Sequence, residues 1–211
     1  MRQNEELGHM GKNGADYEAL GKYIARYVQL PEEAFQELTK ALQYRTVGRK
    51  TLIQEPGKVA TSQYFILEGC FRSYYTDPKG NEQILHFAIE NWWMCDYDSY
   101  VNQTASEHYI QALENSRIFQ IEKSDLEALF ERFPPIERLF RIIAEKTFIA
   151  LQRRMQFMFD KQGEEMLDDF MSGTGPFHQR VPQYMIASYL GFTPEFLSML
   201  RARKKPSKKE E

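Results

Sequence analysis

The residues of this chain best suited to chemistry on a partner lie near its C-terminal end. From Arg201 the sequence reads RARKKPSKKEE, with Arg201, Arg203, Lys204, Lys205, Lys208 and Lys209 in one short run. Cationic side chains at this density neutralise phosphates, and the binding they give weakens as salt rises. A solvated basic tail would look the same, so the run alone decides nothing. The preceding segment is more specific. Pro182 to Arg203 reads PQYMIASYLGFTPEFLSMLRAR. Pro182 opens a helix, Gly191 ends it by supplying a positive φ, and Thr193 caps a second helix that has Pro194 at its first position. Ile186 and Leu190 would face Leu197 and Leu200, Ala187 is small enough for a close crossing, and Phe192 plugs the corner. An ordinary αα-hairpin shares the turn glycine, but the cap, the spacing and the basic run together favour a helix-turn-helix. In that geometry the second helix enters the major groove of double-stranded DNA and offers Thr193, Glu195, Ser198, Met199 and Ala202. Glu195 can accept from a cytosine amino group. Arg201, Arg203, Lys204 and Lys205 would contact phosphates, while Gln183 and Tyr184 hold the backbone from the first helix.

Other chemistries are less well supplied. Two cysteines, Cys70 and Cys95, have apolar neighbours and read as buried free thiols. His9, His86, His108 and His178 are scattered and none falls at zinc-ligand spacing, so neither a metal nor another cofactor is expected. An enzymatic reading would use Asp96, Asp98, Glu107 or His108. The paired-histidine metal cluster usual in β-roll enzymes is missing, and solvent-facing carboxylates are the simpler account, so the chain is expected not to be an enzyme. Trp92 to Ser106 reads WWMCDYDSYVNQTAS, aromatic and polar without a clean period. It suits either the wall of a cavity or an aromatic plug with a polar rim. If it is a wall, Trp93, Cys95, Tyr97, Ser106, Glu107 and His108 are the candidate effector-pocket residues.

The elements that must position these groups follow from periodicity. Tyr17 to Tyr44 repeats apolar residues at three and four, with Leu20, Tyr23, Ile24, Tyr27 and Val28 on one face, and a second helix restarts at Pro31. After Val47 the period drops to two. Short strand-like runs near Leu52, Tyr64–Leu67, Cys70–Tyr75, Gln83–Ala88, Tyr109–Leu113 and Ile118–Ile121 are broken by turns, the strongest at Asp77–Asn81, and imply an antiparallel roll or sandwich. Helical spacing returns from Lys123 to Phe133, and a long helix runs from Ile136 to about Lys161. Ile136, Phe140, Ile143, Thr147, Ala150 and Phe157 fall at heptad-like spacing, with Arg154 the one charge on that seam; the stripe suits pairing with a second copy, which its place between two domains favours, or packing on the chain's own β domain. Beyond it, Glu164–Met171 reads as a short helix and Phe177–Val181 as a short strand. The expected units are a sensor domain over 17–133, a dimerisation helix over 134–161, and a DNA-binding unit with a basic tail over 162–211.

Composition fits this reading. At 42% hydrophobic and 27% charged residues the chain is an ordinary folded protein rather than a disordered one. Its net charge of −3 is no general attraction for nucleic acid, so any such binding must be local. No run reaches the roughly 20 apolar residues of a membrane span, and Met1–Gly14 lacks the order of a signal peptide. A cytoplasmic protein with no membrane partner is expected.

The order of helices, β-roll, long helix and helix-turn-helix, with YFILEGCFRSYY, GNEQILHF and VPQYMIASYLGFTPEFLS, resembles the Crp–Fnr family of transcription regulators over about Tyr17 to Arg203. The resemblance implies an α+β fold: an N-terminal antiparallel β-roll (a double-stranded β-helix like that of cyclic nucleotide-binding domains) with flanking helices, a long dimerisation helix and a C-terminal winged helix-turn-helix. The chain stops soon enough after the recognition helix for the wing to be truncated. The resemblance also implies a homodimer, an effector of small-molecule size and RNA polymerase as a further partner. Members that bind cyclic AMP carry a Gly-Glu pair and then an Arg-Ser or Arg-Thr pair. Counting back from Ala112–Ser116, Ser106 stands at the arginine position with Glu107 beside it, and Cys95-Asp96 or its neighbours replace Gly-Glu. A cyclic nucleotide is therefore not the expected effector. The oxygen-sensing branch needs four cysteines, and neither His86 nor His108 matches a haem-ligand position. The recognition helix carries Pro194 and Met199 where family members often have arginines, while Glu195 matches the family's acidic residue.

Overall fold

The computed structural model describes residues 14–160, 163–173 and 175–204. Helix α1 (14–24) and helix α2 (Glu32–Ala41) lead into eight strands: β1 (Gln43–Val47), β2 (Leu52–Gln54), β3 (Ser62–Glu68), β4 (Phe71–Thr76), β5 (Glu82–Ala88), β6 (Trp93–Met94), β7 (Tyr109–Ala112) and β8 (Ser116–Glu122). A short helix α3 (Tyr97–Asn102) interrupts them. Four helices follow α4 (Lys123–Arg132): α5 (Pro134–Asp160), α6 (Gly163–Gly173), α7 (Gln183–Leu190) and α8 (Pro194–Lys204), with a 3₁₀ turn over Gly175–Gln179.

The strands form two four-stranded antiparallel sheets, ordered β1-β8-β3-β6 and β2-β7-β4-β5. Alternation sends Val47, Tyr64, Ile66, Phe71, Ala88, Met94, Ile110, Ala112 and Ile118 into the space between them. Local chemistry sets the corners. Asp77 Oδ1 accepts from the backbone N–H groups of Lys79 and Asn81, both at 2.9 Å, and so builds the β4–β5 turn. Gly69 has φ +121°, and a Cβ there would fall 2.1 Å from Ser116 Oγ, so no other residue fits the β3–β4 corner.

Each sheet has a helical cover. The outer face of the β1-β8-β3-β6 sheet, through Phe65, Phe119 and Ile121, packs against α1, α2, α4 and the first half of α5 by way of Leu20, Leu38, Leu126, Leu139 and Phe140. The outer face of the other sheet, through Cys70, Tyr74, Ile84 and Phe87, packs against Leu167, Phe170, Phe177, Met185, Ile186 and Leu190 of the C-terminal helices.

Several sequence expectations are corrected here. Gln43–Val47 pairs with β8 as a strand, although helical spacing ran on to Tyr44, because Tyr44 stands opposite Phe119 in the ladder. Phe177 lies in a 3₁₀ turn and not a strand. Among the described residues no strand follows β8, so the C-terminal unit shows no wing there. Half of the expected dimer seam is interior to the subunit. Ile136 (0% exposed), Phe140 (6%) and Ile143 (7%) belong to the protein's own core, and the Thr147 hydroxyl donates back to the Ile143 carbonyl at 2.9 Å. Thr147 and Ala150 are exposed, and the side chain of Phe157 lies outside the described residues. At about 100° per residue, Arg154 continues the face of Ile136, while Phe148, Leu151, Met155 and Met158 form a second stripe roughly 90° around the helix. That stripe is the exposed one, at 61%, 47%, 59% and 46%.

Candidate nucleic-acid interface and effector-facing cluster

Helices α7 and α8 form the expected helix-turn-helix. Gly191 takes φ +72°, the Phe192 N–H reaches the Ala187 carbonyl at 2.8 Å, and the Phe196 N–H donates to Thr193 Oγ1 at 3.2 Å. Ile186, Ala187, Leu190, Leu197 and Leu200 are buried between the helices and the roll. What they leave outside is a cleft of about 450 Å³ lined by Gln183, Tyr184, Pro194, Leu197, Ser198, Arg201 and Ala202. Thr193, Glu195 and Ser198 are exposed, as are Tyr184 and Met199. Arg201 donates to Gln183 Oε1, which ties the two helices together at the cleft floor. Arg203 is exposed and pairs loosely with Glu164 at 3.4 Å. Lys204 is the last residue of α8, and Lys205, Lys208 and Lys209 lie outside the described residues. Of the sequence-predicted contact residues, Gln183, Tyr184, Ser198 and Arg201 line that cleft, while Thr193, Glu195, Met199 and Arg203 are exposed outside its lining.

The effector-pocket candidates do not converge in the same way. Trp93 turns out of the roll to pack on Phe65 and Phe140, with ring centroids at 5.3 and 4.8 Å, and its Nε1 is buried without a partner among the described residues. It points that way because β6 pairs with β3 through Tyr64–Met94 and Phe65–Trp93, so Met94 takes the inner face. Cys95 lies with Ala60 and Tyr100, and burial raises its thiol pKa. Burial likewise pushes the Cys70 thiol up to about 12, so both are held as neutral thiols. Tyr97 is exposed at 39% with its hydroxyl 3.5 Å from Gln63 Oε1, and Glu107 is exposed.

Ser106 and His108 do meet, through a residue that the sequence left among unremarkable carboxylates. Asp96 is buried and caps α3, accepting from the Ser99 N–H at 3.5 Å. Ser106 Oγ donates to Asp96 Oδ2 at 2.6 Å and accepts from the His108 N–H at 2.9 Å, while His108 Nδ1 stands 3.5 Å from Asp96 Oδ1. Opposite lies His86, which shares the inner face of β5 with Ala88. Burial, then the nearby Arg154 and His108, push its imidazole down to about 4, so it is neutral near pH 7. The signal for His86 was its two-residue offset from Ala88 in an alternating strand; the signal for Asp96 was its place before a short helix that no clear period marks. Among the described residues no group of three or more His, Cys, Asp or Glu is arranged to hold a metal ion, and no helix is long and apolar enough to cross a membrane.

Residues 44–133 match the sequence profile of the cyclic nucleotide-binding domain family. The match covers the β-roll from β1 through α4. Three solved structures resemble the chain well beyond that domain. FixK2 from Bradyrhizobium japonicum superposes with a TM-score of 0.67 at 16% identity, covering 77% of this chain and 83% of its own. CLP from Xanthomonas campestris, a c-di-GMP-responsive global regulator, gives 0.66 at 14%, covering 82% and 91%. A Crp/Fnr-family protein from Eubacterium rectale gives 0.65 at 15%, covering 82% and 83%. At these identities the likeness is one of fold: a cyclic nucleotide-binding domain, a long helix and C-terminal helices in the Crp–Fnr arrangement. No curated protein sequence matches the chain.

Proposed function

We propose that this chain is a DNA-binding transcription regulator that works as a homodimer and senses a small molecule other than a cyclic nucleotide. The observation that carries the reading is the division of α8 into two faces. Leu197 and Leu200 are buried at 2% exposure, while Thr193, Glu195, Ser198 and Met199 face outward beside Arg201 and the α7 residues Gln183 and Tyr184. This is the layout a recognition helix needs: an apolar underside and a short row of polar side chains toward base edges. Arg201, Arg203 and Lys204 serve the phosphates. The exposed stripe Phe148, Leu151, Met155 and Met158 on α5 has the 3-4-3 spacing of a coiled-coil seam and supports a second copy as its partner. The buried Asp96 carboxylate, bonded to Ser106, occupies the segment where a cyclic phosphate would need cations, and supports an effector of different charge. RNA polymerase would be the partner at a promoter.

The test is retention of fragments of the source genome by the purified protein at low and at moderate salt, compared with a Ser198→Glu/Arg201→Glu variant. A palindromic motif retained at low salt, weakened by salt and lost by at least a hundredfold in the variant supports the reading. Equal retention by the variant overturns the assignment of α8. A second reading is favoured by the pairing of Arg203 with Glu164 and the acidic net charge: an interaction module of the same fold that no longer grips DNA. Absence of any retained motif, across effector candidates, would select it.

A further inference from the structure

Helix α8 sorts its side chains by angle as well as by burial. At about 100° per residue, Leu197 and Leu200 mark the buried side, and the strip directly opposite carries Glu195, Ser198, Met199 and Ala202. All four are exposed, Met199 at 40%. Arg201 and Arg203 fall on the two flanks, roughly 100° to either side of the strip's centre. A partner draws each of them further from it. Arg201 donates to Gln183 Oε1 on the α7 side, and Arg203 donates to Glu164 Oε1 at 3.4 Å on the α6 side. The outward strip therefore holds a carboxylate, a hydroxyl, a thioether and a methyl group, and no cation.

That inventory restricts what the strip can read. Guanine is recognised in the major groove by paired donors from Arg or Lys onto O6 and N7, and the strip has neither residue. The paired contact to adenine needs an Asn or Gln. Gln183, the amide beside the strip, already accepts from Arg201. Glu195 suits a cytosine amino group, and the Ser198 hydroxyl discriminates weakly. The feature of the groove that asks for an apolar partner is the C5-methyl group of thymine. Met199 is the one long apolar side chain on the strip, and a flexible, polarizable thioether adapts its shape to such a group. It lies in the second turn of α8, within the early part of a recognition helix that reaches base edges.

We propose that Met199 is a specificity-determining residue that reads thymine, its side chain packing on the C5-methyl group of one thymine in each half of the DNA site. The inference rests on the DNA-binding function proposed above and adds the base that the helix selects. The flanking arginines argue for a duplex over an apolar protein surface. A strip bordered by positive charge on both sides matches a major groove, about 12 Å wide, bordered by two rows of phosphates. Contact with a methyl group neutralises no phosphate, so it adds affinity without adding to the dependence on salt.

Selection by the full chain from random-sequence duplexes tests it, run in parallel on pools built with thymine and with uracil, which pairs alike but lacks the methyl group. In the thymine pool the wild type is expected to enrich a motif with a fixed thymine in each half-site. In the uracil pool the preference at that position is lost while the rest of the motif stays. Met199→Ala, a change at an exposed position, should lose the same preference in the thymine pool. On the selected duplex, uracil for thymine at both positions should weaken the wild type by about tenfold or more, since one buried methyl group is worth about fourfold. The same replacement should weaken Met199→Ala by less than about twofold and leave the slope of affinity against salt unchanged in both proteins. An identical motif in both pools, a guanine at the position, or a thymine preference that survives Met199→Ala overturns the role of Met199 and leaves DNA binding standing. No motif in either pool at low salt overturns the proposed function, and this inference with it, and assigns the strip to a protein partner.

Discussion

The two sheets of the roll are covered in different ways. Over the β1-β8-β3-β6 sheet, four helices lay down a continuous apolar layer in which Leu20, Leu38, Leu126, Ile136 and Leu139 are fully buried. Over the β2-β7-β4-β5 sheet, polar attachments through Ser188, Arg154 and Arg180 are added to an apolar contact that includes Ile84, Phe87, Phe177, Met185 and Ile186. Burial of apolar surface is non-directional and is lost only when the layer opens to water. Side-chain bonds to an edge strand are directional and exchange with water at modest net cost. One cover is mainly apolar in its contacts; the other combines apolar burial with directional bonds to an edge strand. Helix α5 runs through both, since Leu139 and Ile143 belong to the first and Arg154 to the second.

This contrast can be broken most directly at Leu139. Leu139→Ala, in the mainly apolar cover, is expected to lower global stability by about 2–5 kcal/mol in urea unfolding; a loss under 1 kcal/mol would mean the layer is no firmer than the other. The next effect separates the two stripes of α5. Leu151→Asp is expected to leave the unfolding midpoint of the isolated subunit within about 0.5 kcal/mol of wild type while converting a dimer to monomer in sedimentation. Ile143→Asp should instead unfold the protein, because it buries a charge in the subunit core. A dimer that survives Leu151→Asp removes that stripe from the interface.

Smaller still is the effect of Ser188→Ala, expected at about 1 kcal/mol at the contact of α7 with β5 and read by exchange of the Ile84 amide, which donates to Ser188 Oγ at 3.0 Å. The last prediction is a slope. His86 is held near 4 in the folded protein against an ordinary value of 6.5, so its neutral form favours the fold above pH 6.5. That contribution is lost as pH falls through the window from 6.5 to 4, where the unfolded chain takes the proton first. His86 faces Arg154, His108 and Asp96, and the first two oppose its protonation. Melting temperatures measured from pH 7 to 4.5 should fall less steeply in His86→Gln than in wild type; parallel curves would remove His86 from the account.

Much of this architecture was legible because its signals are local. Gly191 and Thr193 announce a turn and a cap within three residues, and the structure puts a positive φ and a cap bond at those positions. The Asp77–Asn81 turn is legible for the same reason. The heptad pattern of the long helix left two partners open, a second copy or the chain's own roll, because such a pattern does not say what faces it. The seam through Ile136, Phe140 and Ile143 is real, but it meets the protein's own roll, and Arg154 interrupts it because β5 and α7 lie opposite. The exposed stripe begins only at Phe148, on a face turned away from β5 and α7. The cluster around Asp96 was illegible because its members come from separate elements, β5 for His86 and the segments flanking α3 for Asp96, Ser106 and His108. Nothing in their spacing along the chain measures their distance in the fold.

Strand β5 is the last of its sheet, and Ser188 pairs with its Ile84 N–H and Glu82 carbonyl where a further strand would lie, which has one more consequence. An uncovered strand edge is a template on which another chain can pair, and proteins that leave one bare tend to associate edge to edge. Here the guard over that edge is α7, supplied by another part of the same chain. A truncation that removes everything after α5 would therefore take away more than the helix-turn-helix: it would leave Ile84 and Phe87 in solvent beside an open row of amides and carbonyls. Such a fragment would keep a folded roll and would be prone to aggregate through it, so the C-terminal helices also protect the solubility of the domain they cover.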